Sequence, residues 1–131
     1  MSNQSPQYGE LCWNELMTTD AKRAKEFYSS LFGWEAQDHD VGSMTYTMLK
    51  KGDKEIGGLL QIPQDKQKQV PPHWLSYVSV ENTEIMLKKA QTLGATVIAP
   101  VTPVGDFGQF AIIQDPTGAH IALWQSLKST C

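Results

Sequence analysis

Few side chains in this 131-residue chain can do chemistry, and they are scattered. Glu15 lies inside an alternating apolar/polar run, Leu11–Met17, that reads as a strand. A carboxylate in apolar surroundings is costly unless paired or protonated, so its pKa should rise. A glutamate tuned in this way can serve as a general base. The plainer reading pairs Glu15 across a sheet or turns it to solvent. Of the three histidines, His39 sits in a polar, turn-like segment and reads as surface. His73 ends a proline-rich stretch, and His120 reads as a half-exposed strand residue. No Ser-His-Asp or Cys-His constellation emerges from this set. Gly105 and Gly108 lack the strand-then-helix context of a nucleotide loop. Cys12 and Cys131 form neither a disulfide framework nor a zinc knuckle, and both read as reduced thiols.

The elements that must position these residues come in two copies. The stretches Trp13–Gly33 and Trp74–Gly94 follow one plan at a constant offset. A tryptophan opens an alternating run, an acid follows (Asp20, Glu81), then a helix-like pattern and a glycine; Thr18 and Ser79 fall at the same offset. A unit of this kind cannot bury its apolar face alone, so two copies are expected to pack together. The groove between paired units is a natural place for a small-molecule site.

Within the first copy, Thr19 or Asp20 can cap a helix whose apolar stripe is Ala24, Phe27, Tyr28 and Leu31, ended by Gly33. Trp34–Gln37, Met44–Lys50 and Ile56–Ile62 then read as strands, with DHDVGS and KKGDKE as turn-like separators. Pro63–Pro72 reads as a polar linker without a stable element. The second copy runs as strand Trp74–Val80, a helix capped by Asn82 with stripe Met86, Ala90 and Leu93, and strands Thr96–Ala99, Gly108–Gln114 and Ala119–Gln125. DPTG at 115–118 reads as the turn of a final hairpin. Pro100–Gln109 reads as a loop in which Phe107 and Gln109 could touch a ligand or gate it; a simple turn is the alternative.

Composition narrows the function classes. The length fits one domain, and 40% hydrophobic with 19% charged residues reads as soluble and globular. A net charge of -3 argues against nucleic acid or an anionic membrane as the main partner. The start, MSNQSPQ, lacks the apolar core of a signal peptide, and no apolar run reaches a membrane-spanning length. A cytoplasmic protein is expected.

A doubled βαβββ plan with DPTG before the last strand resembles the vicinal oxygen chelate superfamily, which contains glyoxalase I, extradiol dioxygenases and bleomycin- and fosfomycin-resistance proteins. The resemblance runs from about Gly9 to Gln125. The strings CWNELMTTD, FYSSLFGW, PPHWLSYVSVEN and DPTGAHIALWQ resemble a bacterial glyoxalase-like subgroup of it. The resemblance implies an α+β fold in which two βαβββ modules form a cupped, U-shaped mixed β-sheet with helices on the outer face. The whole chain, 1–131, would be one such domain: module 1 at about 8–62, the linker at 63–72 and module 2 at about 73–126. It also implies a homodimer, because members of this size usually pair.

The superfamily's metal enzymes take His or Glu ligands from the first and last strand of each module. Here those positions fall on Trp13, on Gly57 or Gly58, on Leu75 or Trp74, and on Ala122. None of these side chains offers a metal a ligand atom, so metal-dependent glyoxalase I activity is not expected. The cavity residues implied are Trp13, Glu15, Leu75, Tyr77, Ala122 and Trp124, with Tyr46, Met48 and Phe107 beside them. Each aromatic has a plain core alternative. The expected function is metal-free binding of a small apolar or aromatic molecule, with no cofactor. The alternative is a lyase- or dioxygenase-like enzyme that holds Zn, Ni, Fe or Mn on a set shifted by one pleat: Glu15, His73 and His120. An interaction or regulatory protein is a third possibility that no residue favours.

Overall fold

Alternation of apolar and polar residues builds eight strands and capped helical periodicity builds two helices in the computed structural model, which describes residues 7–41 and 44–127. The order is β1 (Leu11–Thr18), α1 (Ala21–Phe32), β2 (Glu35–Val41), β3 (Met44–Lys51), β4 (Lys54–Gln61), β5 (His73–Ser79), α2 (Thr83–Thr92), β6 (Thr96–Val104), β7 (Gly108–Gln114) and β8 (His120–Ser126). The fold is α+β, a βαβββ plan used twice with mixed strand pairing. Several expected boundaries move. The DHDVGS stretch lies partly inside β2, His39 is an exposed residue of that strand, and β6 extends through Pro100–Val104, which had read as loop. The Pro63–Pro72 linker holds a short 3-10 helix at Gln64–Lys66. Cys131 and most of the MSNQSPQ segment lie outside the described residues.

Two compact units divide the chain: residues 14–75, and residues 1–13 with 76–131. In the first, the strand order is β2-β3-β4-β1, with β1 and β4 parallel and the other neighbours antiparallel. Leu16, Leu49 and Leu59 form its core, and Ala21, Ala24, Tyr28, Trp34 and Ile56 pack against them. Full burial of each leucine contributes about 1.5–3 kcal/mol relative to exposure. The α1 stripe is therefore narrower than expected: Ala24 and Tyr28 face inward, while Phe27 and Leu31 are more than half exposed. Asp20 caps α1 by accepting from the Arg23 N–H at 3.1 Å, and Gly33 ends it with a φ of 75°. Asp38 on β2 accepts from the Thr47 hydroxyl at 2.7 Å and pairs with Lys25 of α1 at 3.2 Å, tying helix to sheet. The Thr47 hydrogen bond first, then Lys25, holds its carboxyl below the ordinary value of 3.8.

In the second unit the order is β5-β8-β7-β6, with β5 and β8 parallel. Val80, Ala111, Ile113 and Leu123 are buried, and α2 packs on β6, β7 and β8. The expected α2 stripe again shifts, because Leu93 is 69% exposed whereas Thr83 is fully buried. Asn82 caps α2 through the Ile85 N–H at 3.0 Å. The chain before β1 belongs to this unit: the Gly9 N–H donates to the Ser79 carbonyl at 2.7 Å and the Ser79 N–H to the Glu10 carbonyl at 2.9 Å.

The two units share a device that the sequence repeat did not announce. The first amides of a helix have no acceptor within the helix. The Ala21 N–H donates to Gln61 Oε1 at 2.8 Å, and the Thr83 N–H donates to Gln125 Oε1 at 2.9 Å. In each unit a glutamine at the end of the last strand thus holds the first residue of the helix. Gln61 is exposed. Gln125 is half-buried and also accepts from the Thr83 hydroxyl and from Gln109 Nε2, both at 3.1 Å.

Two outcomes are expected in chemical denaturation. Gln125→Ala should cost about 2–3 kcal/mol because buried donors lose their acceptor, and Gln61→Ala about 1 kcal/mol or less. Asp38→Asn should lower stability at neutral pH. Since folding depresses the Asp38 pKa, its contribution is complete above 3.8 and fades as pH falls through the lower folded value. The gap between variant and parent should therefore close at acid pH; a gap unchanged from pH 7 to pH 2 would count against that assignment.

Candidate functional site

Directly paired residues of neighbouring strands point to the same face, so the register sorts the candidate residues. Glu15 pairs with Gly58 and Gly58 with Met48, which makes one row across β1, β4 and β3. The adjacent row, Leu16, Leu59 and Thr47, faces α1, where Leu16 and Leu59 join the core. Glu15, Gly58 and Met48 therefore lie on the face turned away from the helix. Alternation adds Trp13 and Tyr46 to that face. Glu15 is 4% exposed.

Gly58 explains why Tyr46 belongs here. A Cβ on Gly58 would overlap the Tyr46 hydroxyl and the ring carbon that carries it. The phenol occupies the space a side chain at position 58 would need. Gly57 points the other way, where a Cβ would stand 2.8 Å from the Asn14 carbonyl oxygen. Of the two glycines at the family's second ligand position, Gly58 is the one on the Glu15 face.

The corresponding face of the other unit is aromatic. Tyr77 pairs with Ala122 and Ala122 with Ile112; Ser79 pairs with Trp124 and Trp124 with Phe110. Gln125, the next residue along β8, reaches the start of α2, so Trp124 and Ala122 point away from the helix. Tyr77 and Phe110 meet edge to face at 6.4 Å and 67°. Trp124 Nε1 is buried and has no hydrogen-bond partner among the described residues. Phe107 is exposed on the turn between β6 and β7. The hairpin that sets this register is held by Asp115, whose Oδ1 accepts from the Thr117 hydroxyl at 2.7 Å, the Thr117 N–H at 2.8 Å and the Ala119 N–H at 3.1 Å. These bonds, the Thr117 side chain foremost, lower the Asp115 pKa.

The sequence repeat is corrected by one residue. The helix caps are Asp20 and Asn82, as expected, and they set an offset one residue longer than the one that pairs Asp20 with Glu81. Trp13 therefore corresponds to Leu75, and Trp74 falls on the opposite face, where its indole N–H donates to Tyr28 Oη at 3.3 Å and its ring meets Trp34 at 6.3 Å. Leu75 is 2% exposed. The positions to which the resemblance assigns metal ligands are narrowed by the strand faces to Trp13, Gly58, Leu75 and Ala122. None has a donor fit for a metal, so these residues do not fit the family's metal group.

The shifted set does not assemble either. Glu15 is buried, His73 Nδ1 donates to the Pro71 carbonyl at 2.7 Å, and His120 is exposed at the start of β8. Among the described residues no three His, Cys, Asp or Glu side chains gather as a metal site.

Two features escaped sequence reading. Phe110 follows from counting the β7–β8 hairpin outward from DPTG, a signal that was present. The second is a cavity of about 240 Å³ on the α1 side, lined by Asn14, Trp34, Leu49, Ile56, Gly57 and Trp74; no local pattern marks it.

Gly58→Ala is expected to destabilise by about 1–3 kcal/mol through overpacking against Tyr46. Combined with Tyr46→Leu, the cost should be clearly less than the sum of the single changes. Strict additivity in a denaturation double-mutant cycle would remove Tyr46 from the Gly58 space.

Comparison with known proteins agrees with the geometry. Residues 11–123 match the family model of the Glyoxalase/Bleomycin resistance protein/Dioxygenase superfamily. CFP32 of Mycobacterium tuberculosis, whose name places it provisionally among the glyoxylases, is 35% identical over 87% of this chain and 44% of its own. The anthracycline biosynthesis protein DnrV of Streptomyces peucetius is 29% identical over 89% of this chain and 47% of its own. The chain thus spans about half the length of these curated relatives. Among solved structures, a hypothetical protein of Bacillus halodurans, BH1468, superposes with a TM-score of 0.68 at 16% identity, covering 93% of this chain and 97% of that one. Methylmalonyl-CoA epimerase from Mycobacterium tuberculosis gives 0.64 at 12% identity, covering 96% of this chain and 92% of its own. Those likenesses are of fold. The paired βαβββ plan, the DPTG hairpin and the match over residues 11–123 make this chain a member of the glyoxalase, bleomycin resistance protein and dioxygenase superfamily.

Proposed function

We propose that this chain binds a small apolar or aromatic molecule on the strand faces turned away from the helices, without the metal its superfamily often uses there. The observation that supports the reading is the Tyr46 phenol filling the room at Gly58, together with the lack of a metal donor at Trp13, Gly58, Leu75 and Ala122, the positions to which the resemblance assigns ligands. In the unit of residues 76–131, Tyr77, Phe110 and Trp124 put aromatic rings on that face; in the unit of residues 14–75, Glu15 and Tyr46 put polar groups on theirs. Ligand sites of this type join many apolar groups to a few polar ones. The name of DnrV, which ties that protein to anthracycline biosynthesis, is in keeping with a small organic ligand.

The same reading makes the protein a cytoplasmic homodimer. Two cysteines in 131 residues make no disulfide framework, in keeping with a reducing compartment, and the exposed Phe27, Leu31 and Phe32 of α1 offer apolar surface for a second copy. No helix among the described residues is long and apolar enough to cross a membrane.

Elemental mass spectrometry on untagged protein, before and after incubation with nickel, zinc, iron and manganese, tests the reading. Stoichiometry near zero is expected, together with tryptophan fluorescence quenching by micromolar to millimolar small aromatics. Uptake of about one metal per chain would instead favour a lyase- or dioxygenase-like enzyme and overturn the proposal. Trp13→His with Ala122→Glu should raise nickel or zinc affinity, because it returns donors to two of the four positions.

A further inference from the structure

Six residues of the unit 14–75 line the cavity of about 240 Å³ on the α1 side: Asn14, Trp34, Leu49, Ile56, Gly57 and Trp74. It lies on the opposite side of the strands from the row of Glu15, Gly58 and Met48.

A break in the strand ladder shapes one wall. β3 and β4 pair Leu49 with Gly57 and then Lys50 with Glu55, which leaves Ile56 without an opposite residue. An extra residue of this kind bends a strand and re-aims its side chains. Ile56 and Gly57 are consecutive yet both line the cavity, which plain alternation forbids. The corresponding β7–β8 hairpin keeps an unbroken register from Gly108 with Ser126 to Gln114 with His120, so the fold itself does not call for the break.

Two indoles form a corner of the same cavity. Trp34 and Trp74 meet at 85° with centroids 6.3 Å apart. Tyr28 fixes both: its ring stacks on Trp34 at 5.5 Å, and its hydroxyl accepts from the Trp74 indole N–H at 3.3 Å. The rings are held in place without a ligand, and walls already ordered lose little entropy on binding. Trp74 is still 42% exposed, which leaves ring surface for a ligand to cover.

Size and charge limit the occupant. A cavity of about 150 Å³ can take benzene, and drug-sized molecules need roughly 300 Å³ or more. None of the six lining residues is charged. Lys50 follows Leu49 and so points to the opposite face, between Glu35 and Glu55 in register. His73, beside Trp74, is turned to the Pro71 carbonyl. An ion in the cavity would lose water without gaining a countercharge.

We infer that this cavity is a second binding site, separate from the strand faces turned away from the helices, for a neutral aromatic molecule of one or two rings that lies against Trp34 and Trp74.

Proton–nitrogen correlation spectra of the unaltered protein, titrated with 2-naphthol, provide the test. The indole cross-peaks are assigned by their loss in Trp34→Phe and Trp74→Phe or, where a variant does not fold, by backbone-linked assignment of the parent. The Trp34 and Trp74 cross-peaks should move and saturate at millimolar probe. 2-Naphthoate and 2-naphthylmethylammonium keep the ring pair but add a charge, and each should bind at least about tenfold more weakly. Asn14→Phe, at an exposed position of the lining, should abolish the Trp34 and Trp74 shifts by filling the cavity. Trp74→Leu is the second variant and should weaken 2-naphthol at least about tenfold by removing a wall. Shifts confined to Trp13 and Trp124 would overturn this inference and leave the site on the other faces standing. Equal or tighter binding of either ion would overturn the neutral class. No movement of any indole cross-peak would count against both sites.

Discussion

The parallel pairing of first and last strands, β1 with β4 and β5 with β8, is the constraint on which the rest depends. A parallel neighbour cannot be reached by a tight turn, so the chain must cross over between the two strands. Each module makes that crossing through a helix and two further strands. The returning strand ends beside the start of the helix, and a glutamine there meets the helix's first amide. Once the parallel register is fixed, alternation decides which side chains share a face. The grouping of Glu15 with Gly58, and of Tyr77 with Ala122, is a consequence of strand pairing before it is a matter of chemistry.

Local signals were legible in the sequence because they are local in cause. Asp20 and Asn82 cap helices as their side chains predict, and the DPTG hairpin forms where proline and glycine place it. The offset between the two βαβββ copies could be read to within one residue. That last residue matters, because a shift of one reverses the face of a strand. Matching tryptophan to tryptophan aligned Trp13 with Trp74, whereas the caps align Trp13 with Leu75. Like side chains misled because Trp74 does a different job, packing against Tyr28 and Trp34. The helix stripes were drawn too wide for a related reason. Periodicity identifies an apolar sector but not its edge, and only the position of Leu16, Leu49 and Leu59 shows that Tyr28 faces inward while Phe27 does not. The filling of Gly58's space by Tyr46, from two strands that the sequence joins by a turn, is a tertiary fact with no sequence periodicity.

The tryptophans divide their labour. Trp34 and Trp74 belong to an aromatic cluster with Tyr28 and Phe32 on the helix side, and they border the cavity there. Trp13 and Trp124 lie on the faces turned away from the helices. Aromatic rings fill such faces with large apolar area for little lost rotamer freedom. The glutamine clamps show the same economy of parts with different surroundings: solvent at Gln61, and a part-buried network with Thr83 and Gln109 at Gln125.

The phenol lying in the space of Gly58 also bears on the history open to this protein. A larger side chain at position 58 alone would meet Tyr46. Tyr46 would have to shrink first, and the intermediate would carry an unfilled space between β3 and β4. The order of substitutions at these two positions is therefore constrained: the glycine can grow only after the tyrosine has gone.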